Sequence, residues 1–210
     1  MRITRFCSLS ILLFLLLLDN QIFAQAKSLD AVKIAQAPRI DGNLDDLAWT
    51  NVTPAKNFIQ NFPTYGLAAF VNSEVRVVYD NSAVYIGAYL YDDPTQIRKQ
   101  ITARDGEGQA DVDYFSVFFD TYNDHQNGYQ FLVTSANVQS DARIGPNLGG
   151  GFNSYGDKTW DAVWESHVSM KKDGWVVEMR IPFSSIRFAK KDIQTWGLQL
   201  LRFTRRNNES

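Results

Sequence analysis

The chain has 210 residues, 45% of them hydrophobic and 13% aromatic, and its 21 basic and 23 acidic side chains leave a formal charge of −2. This composition excludes intrinsic disorder, and a near-zero charge with no block of like sign excludes a phosphate-tracking surface, so nucleic acid is not an expected partner. The length predicts one domain.

The N-terminus reads as a secretory signal peptide over residues 1–24. Arg2 and Arg5 open it, Leu9 to Leu18 is apolar except for Ser10, and Ala24-Gln25-Ala26 offers small residues for cleavage after Ala24 or Ala26. About ten apolar residues fall short of the roughly 20 that span a bilayer. The mature chain is therefore expected to be exported without a transmembrane helix, to the periplasm, the outer membrane or the medium. The single cysteine, Cys7, leaves with the signal, so residues 27–210 hold no disulfide, thiol nucleophile or thiolate metal site.

Along the mature chain, Asp45-Asp46-Leu47-Ala48-Trp49 predicts one helical turn capped by the aspartates. Period-two alternation then takes over. Glu74 to Tyr79 and Ala83 to Tyr91 flank Asp80-Asn81-Ser82 and predict a hairpin. Pro94 to Ile101 predicts a second helical turn, and Arg104 to Ala110 a mobile loop. Tyr114 to Phe119 and Tyr129 to Thr134 form a second hairpin around the polar stretch Asp120 to Gly128. The glycine-rich stretch Gly145 to Gly156 is a further mobile loop. Glu165 to Met170 and Trp175 to Ile181 make a third hairpin that Pro182 closes, and Trp196 to Thr204 is the last strand. With no long amphipathic helix and no repeat, the fold class is all-β: a two-sheet antiparallel β-sandwich with a few short helical turns.

Enzyme chemistry finds little support. His125 lies in the acidic loop, His167 lies in a strand, and Gly149-Gly150-Gly151 lacks the lysine and helix of a phosphate loop. A glycan-cleaving enzyme would need two carboxylates in one cleft, for which Asp111 and Asp113 are the candidates, while Asp111 and Asp113 with Asp141 make a second acidic set only if neighbouring strands align. The loop Asp120-Thr-Tyr-Asn-Asp124 with Asn127 gathers hard oxygen donors, and Asp120 and Asp124 are the candidate ligands of a Ca²⁺ ion. The same residue types are also ordinary formers of a hairpin loop. Trp160 and Trp164, four apart, share one face of an extended segment. Exposed, that face stacks on sugar rings; turned inward, it fills the core, and the core is the favoured alternative.

Ile40-Asp41-Gly42-Asn43-Leu44-Asp45-Asp46-Leu47-Ala48-Trp49, then Val75 to Asp80 and Val84-Tyr85-Ile86, resemble the start of a family 9 carbohydrate-binding module. Asp113 to Asp120 and Gly174-Trp175 with Glu178, Ile181 and Pro182 are similar to its later segments, so the likeness covers about residues 31–204. The resemblance implies a jelly-roll-like sandwich, secreted, binding polysaccharide or oligosaccharide without hydrolysing it and holding structural calcium. Trp160, Trp164, Arg104 and Tyr129 are the expected sugar contacts. The chain also resembles the first part of long bacterial envelope proteins, on strings such as Ile181 to Phe188 and Arg202-Phe-Thr-Arg-Arg206. That likeness implies a C-terminal domain absent from this chain and a sandwich lacking its last strand or two. Ala110 stands where sugar-binding members carry a stacking tryptophan, and Ser116 and Leu132 stand at positions of polar contacts. These departures support a second expectation, a structural domain that docks on the C-terminal envelope domain and binds no sugar.

Overall fold

A computed structural model describes residues 27–146 and 156–210. The signal peptide and most of the glycine-rich loop lie outside the described residues. Among the described residues no helix is long and apolar enough to cross a membrane.

The described residues hold nine strands in chain order: β1 (Val32–Lys33), β2 (Ser73–Tyr79), β3 (Ala83–Tyr91), β4 (Tyr114–Asp120), β5 (Gly128–Thr134), β6 (Gln139–Ile144), β7 (Glu165–Lys171), β8 (Gly174–Pro182) and β9 (Gly197–Phe203). They build a five-stranded sheet in the order β1-β2-β3-β8-β7 and a four-stranded sheet in the order β6-β5-β4-β9. Every pairing is antiparallel except β1 with β2. The alternation explains the stack, because β3 turns Val84, Ile86, Ala88 and Leu90 inward and β8 turns Trp175, Val177, Met179 and Ile181 inward. They meet Phe115, Val117 and Phe119 of β4 and Phe131 and Val133 of β5 across the inter-sheet core.

The β2–β3 turn shows why its aspartate is there. The Asp80 carboxylate accepts the Ser82 N–H at 2.6 Å, the Ser82 hydroxyl at 2.8 Å, the Ala83 N–H at 2.8 Å and the Tyr85 hydroxyl at 2.9 Å. Burial pushes this carboxyl up, but the donors from Ser82, Ala83 and Tyr85 together hold it below its ordinary value.

A second, smaller core lies on the outer face of the five-stranded sheet. There the segment 34–52 folds back, so that Ile34, Ile40, Leu44, Trp49 and Val52 pack on Val78, Ala83 and Tyr85. Gly87 lets the segment in: a Cβ at that position would lie 2.7 Å from Leu44 and 3.2 Å from the Trp49 ring. Beside Gly87 in register, Glu178 is fully buried. Its carboxylate accepts N–H groups from Asp41 at 3.0 Å, Gly42 at 2.7 Å and Asn43 at 3.2 Å, and the Trp49 indole N–H at 3.0 Å. Gly42 needs its φ of +82°, and a Cβ there would meet His167 and Ser169 under 3.0 Å. The stretch from Ile40 to Trp49 is thus a clasp that closes on one buried carboxylate. Burial pushes the Glu178 carboxyl up, and these four donors pull the other way.

The opposite end is tied by charge. Asp92, buried, accepts Arg202 at 2.8 Å and Arg206 at 2.7 Å. Arg202 also donates to the carbonyls of Asn72 at 3.0 Å and Tyr91 at 2.9 Å, which anchors β9 to the five-stranded sheet. Burial lowers the Arg202 guanidinium to about 10 against the pull of Asp92 and Asp113, still far above neutral pH.

Three expectations change. The helical turn is Leu47–Thr50, but Asp46 at its N-cap makes no capping bond and accepts the Arg39 N–H at 3.0 Å instead. Pro94 to Ile101 holds only a turn, closed by Gln96 donating to the Asp93 carbonyl at 2.9 Å. Strand β6 was not anticipated, because Gln139-Ser-Asp-Ala-Arg-Ile144 carries too many polar residues to read as a strand.

Candidate functional site

The expected sugar contacts gather where the β3–β4 connection meets β6. Arg104 pairs with Asp141 of β6, donates to Gln139 Oε1 at 2.9 Å and to the Ala162 carbonyl at 3.3 Å, and lies 3.1 Å from Asp161. Asp141 is buried and also accepts the Ala162 N–H at 2.6 Å and the Trp164 indole N–H at 3.5 Å. Burial pushes its carboxyl up, while the Ala162 N–H, Arg104 and Trp164 oppose the rise. Lys158 pairs with Glu107 of the same connection. The stretch Arg104 to Ala110 is therefore pinned by ion pairs and carries a 3₁₀ turn at Glu107–Gln109, where the sequence predicted a mobile loop.

The aromatics divide. Trp164 is 6% exposed, and its ring meets Phe131 edge-on at 5.4 Å inside the inter-sheet core. It fills the core and offers no face to a sugar, which corrects its assignment as a contact. Trp160 is partly buried against Tyr129 at 5.0 Å and Phe131 at 5.9 Å. Arg104, Tyr129 and Trp160 thus border one rim, and the most exposed group there is the Asp161 carboxylate, 80% exposed beside a guanidinium 36% exposed. An indole edge next to a fixed donor and a fixed acceptor has the chemistry to meet a hydroxylated ring. Gln139 and Asp161 were missed. Gln139 and Asp141 share one face of β6, a signal readable only once β6 is recognised as a strand.

In the acidic loop both candidate ligands, Asp120 and Asp124, act as turn formers. Asp120 accepts the Asp124 N–H at 3.1 Å on one oxygen and the His125 N–H at 2.7 Å on the other. Asp124 accepts the N–H groups of Gln126 at 2.9 Å and Asn127 at 2.8 Å on one oxygen and the Asn127 side-chain amide at 2.8 Å on the other. Each carboxylate oxygen of the two aspartates accepts at least one N–H group. The hydrogen bonds from Asn127 hold Asp124 below the ordinary carboxylate range. Among the described residues no three His, Cys, Asp or Glu side chains form a metal-holding group.

Nor do Asp111, Asp113 and Asp141 converge. Asp113 is buried and accepts the Arg205 N–H at 2.8 Å and the Arg98 N–H at 3.4 Å, Asp111 points to solvent, and Asp141 belongs to the Arg104 network. Ala110, Ser116 and Leu132 are all buried, and Ser116 spends its hydroxyl oxygen on the Gln130 side-chain amide at 3.1 Å. These positions therefore offer no charged contact.

Comparison with known proteins places this geometry. The family model described as carbohydrate family 9 binding domain-like matches residues 40–210, from the clasp to the end of the chain. Among solved structures, the chain is similar to a family 9 carbohydrate-binding module from Caldicellulosiruptor kristjanssonii in complex with cellotriose. The TM-score is 0.54 and the identity 21%, over 82% of this chain and 76% of that one. The same module in complex with glucose gives a TM-score of 0.53 and 20% identity over 81% and 78%. A proposed carbohydrate-binding protein from Bacteroides uniformis gives 0.62 and 12% over 87% of each chain. None of the curated proteins matches this chain.

Proposed function

The chain belongs to the carbohydrate family 9 binding domain-like family, and on that premise we propose that it is an exported, noncatalytic module that binds a polysaccharide or oligosaccharide at the bacterial envelope. The observation that carries this role is the extent of the family match, which spans both sheets, the Glu178 clasp and the Arg202 tie. The cellotriose and glucose held by similar folds indicate the class of ligand. The Arg104–Trp160 rim is the proposed contact surface, with Tyr129 behind the indole and Asp161 as acceptor. Calorimetry of residues 27–210 with cellotriose, glucose and a wider set of soluble glycans tests it. Saturable binding that weakens at least tenfold in Trp160→Ala is expected, with the fold checked by circular dichroism. A folded protein that binds none of them would overturn the role.

One observation favours a second role, as a structural domain that docks on another envelope domain. β9 is an edge strand, and beside it runs a cleft of about 2160 Å³ lined by Ile59, Tyr65, Phe188, Ile193 and Leu198, all exposed apolar residues. An unpaired edge beside apolar surface suits the addition of a strand from another polypeptide segment. Amide hydrogen exchange separates the roles: protection of β9 amides only when the adjoining envelope domain is supplied supports docking, and unchanged exchange rejects it.

A further inference from the structure

The clasp covers only half of the outer face of the five-stranded sheet. Next to it, Glu74 and Arg76 of β2 and Tyr89 and Tyr91 of β3 form the floor of a groove of about 470 Å³, and the clasp itself, through Asn43 and Asp45, forms one wall. This volume lies within the range of small-molecule sites, roughly 300–1,000 Å³. The groove belongs to a different sheet from β5 and β6, which carry the Arg104–Trp160 rim.

The floor is built by register. Glu74 lies opposite Tyr89 in the β2–β3 ladder, and Tyr89 and Tyr91, two apart, share the outer face. Their ring centroids are 4.6 Å apart at an interplanar angle of 32°. The Tyr89 hydroxyl donates to Asp173 at 2.5 Å, which fixes that ring, and burial together with Asp173 pushes the phenol up to about 12, so it stays a donor. The Tyr91 hydroxyl has no hydrogen-bond partner among the described residues and lines the groove.

The polar groups are likewise held in place. Arg76 donates to Glu74 at 3.2 Å, Lys56 braces the same carboxylate at 2.7 Å, and Lys171 donates to Oδ1 of the Asn43 side chain at 2.6 Å. Two acids, Glu74 and Asp45, stand against two bases, Arg76 and Lys171, within the lining. Such a groove has no net charge with which to collect an anion or a cation. It has two aromatic rings for the apolar face of a sugar, a free phenol, and a guanidinium and a carboxylate held ready for neighbouring hydroxyls.

We infer that this groove is a second saccharide site, on the outer face of the five-stranded sheet, that takes uncharged pyranose units. The assignment rests on the carbohydrate role proposed above and adds to it a module with two binding faces, able to hold two glycan segments at once and to gain affinity from their linkage.

Titration of ¹⁵N-labelled residues 27–210 with cellotriose, maltotriose, xylotriose and chitotriose tests it by nuclear magnetic resonance. At least one of the four is expected to shift the amides of Glu74, Arg76, Tyr89 and Tyr91 in a saturable way. Tyr91→Ala and Arg76→Gln should each weaken that response at least tenfold and leave any response at residues 160–162 unchanged. Shifts confined to residues 104, 129 and 160–162 would overturn the second site and leave the proposed role intact. No shift anywhere with all four sugars would overturn both. If either variant loses its native spectrum, the wild-type shift map still decides, because the groove amides either respond or do not.

Discussion

Two buried carboxylates hold the outer parts of this sandwich in place, and they are stabilised by opposite means. Glu178 is held by four uncharged N–H groups, three from the backbone at residues 41–43 and one from Trp49. Asp92 is held between two guanidinium groups, Arg202 and Arg206. The first arrangement depends on geometry, since each donor reaches its oxygen only because Gly42 turns the chain and Gly87 admits the indole. The second depends on charge and is less complete, because Arg202 Nε and Arg206 Nη1 are buried without a hydrogen-bond partner among the described residues. A clasp of dipoles therefore fails when shape is disturbed, and a tie of ions fails when one charge is removed.

The largest expected effect is at the ionic tie. Asp92→Ala leaves two buried cations unpaired and should cost about 3–5 kcal/mol, read from the urea midpoint, with β9 losing amide protection first. Replacing all three together, Asp92→Leu with Arg202→Met and Arg206→Met, should recover much of that loss, which separates orphaned charges from lost packing. Glu178→Ala should cost less, about 2–3 kcal/mol, because the freed N–H groups of an outer segment find water. Its signature is local: Trp49 fluorescence shifts to the red while Trp175, at the centre of the inter-sheet core, keeps its environment. Equal losses in the two variants, with identical spectra, would break the contrast.

Gly87→Ala keeps both carboxylates and disturbs only shape. A Cβ pressed on Leu44 and Trp49 should cost about 1–2 kcal/mol and loosen the clasp alone. The smallest effects are in pH. Burial raises the folded Glu178 carboxyl above its unfolded value, so its contribution is full below the ordinary glutamate range and is lost as pH rises through the folded value. Asp80 is held low by Ser82, Ala83 and Tyr85 against burial, so its contribution is full above the ordinary aspartate range and is lost as pH falls through the folded value. Urea midpoints against pH should lose the upper arm in Glu178→Gln and the acid arm in Asp80→Asn. A variant that leaves its own arm unchanged would refute that assignment.

Most of the sandwich was legible in the sequence because its strands alternate and its turns carry turn residues. Asp80-Asn81-Ser82 and Lys171-Lys172-Asp173-Gly174 mark two hairpins that the structure contains, and the wider Asp120 to Gly128 loop marks a third. Strand β6 was not legible, because Gln139 and Asp141 face a buried polar network with Arg104 instead of an apolar core. For the same reason the pinning of residues 104–110 stayed hidden. At the site, the even spacing of Trp160 and Trp164 gave their shared face correctly, and both meet Phe131. Spacing cannot say which way that face points: Trp164 turns into the core, and Trp160 stays partly buried at the rim. The role of Glu178 was within reach as part of a resemblance, but its reason, a ring of donors some 135 residues upstream, depends on long-range contact that no local pattern encodes.

That distance also sets the order in which the molecule assembles. The donors at Asp41, Gly42 and Asn43 are separated from Glu178 by 137, 136 and 135 residues, whereas the hairpins join neighbours in sequence. Contacts between distant residues close late, after the local ones have reduced the chain's freedom. Within the domain the clasp precedes β8 in the chain and has no carboxylate to close on until β8 has paired with β3. Through that interval Trp49 and the glycine floor beneath it face solvent. The last turn of assembly is made by a segment that comes before its carboxylate in the chain.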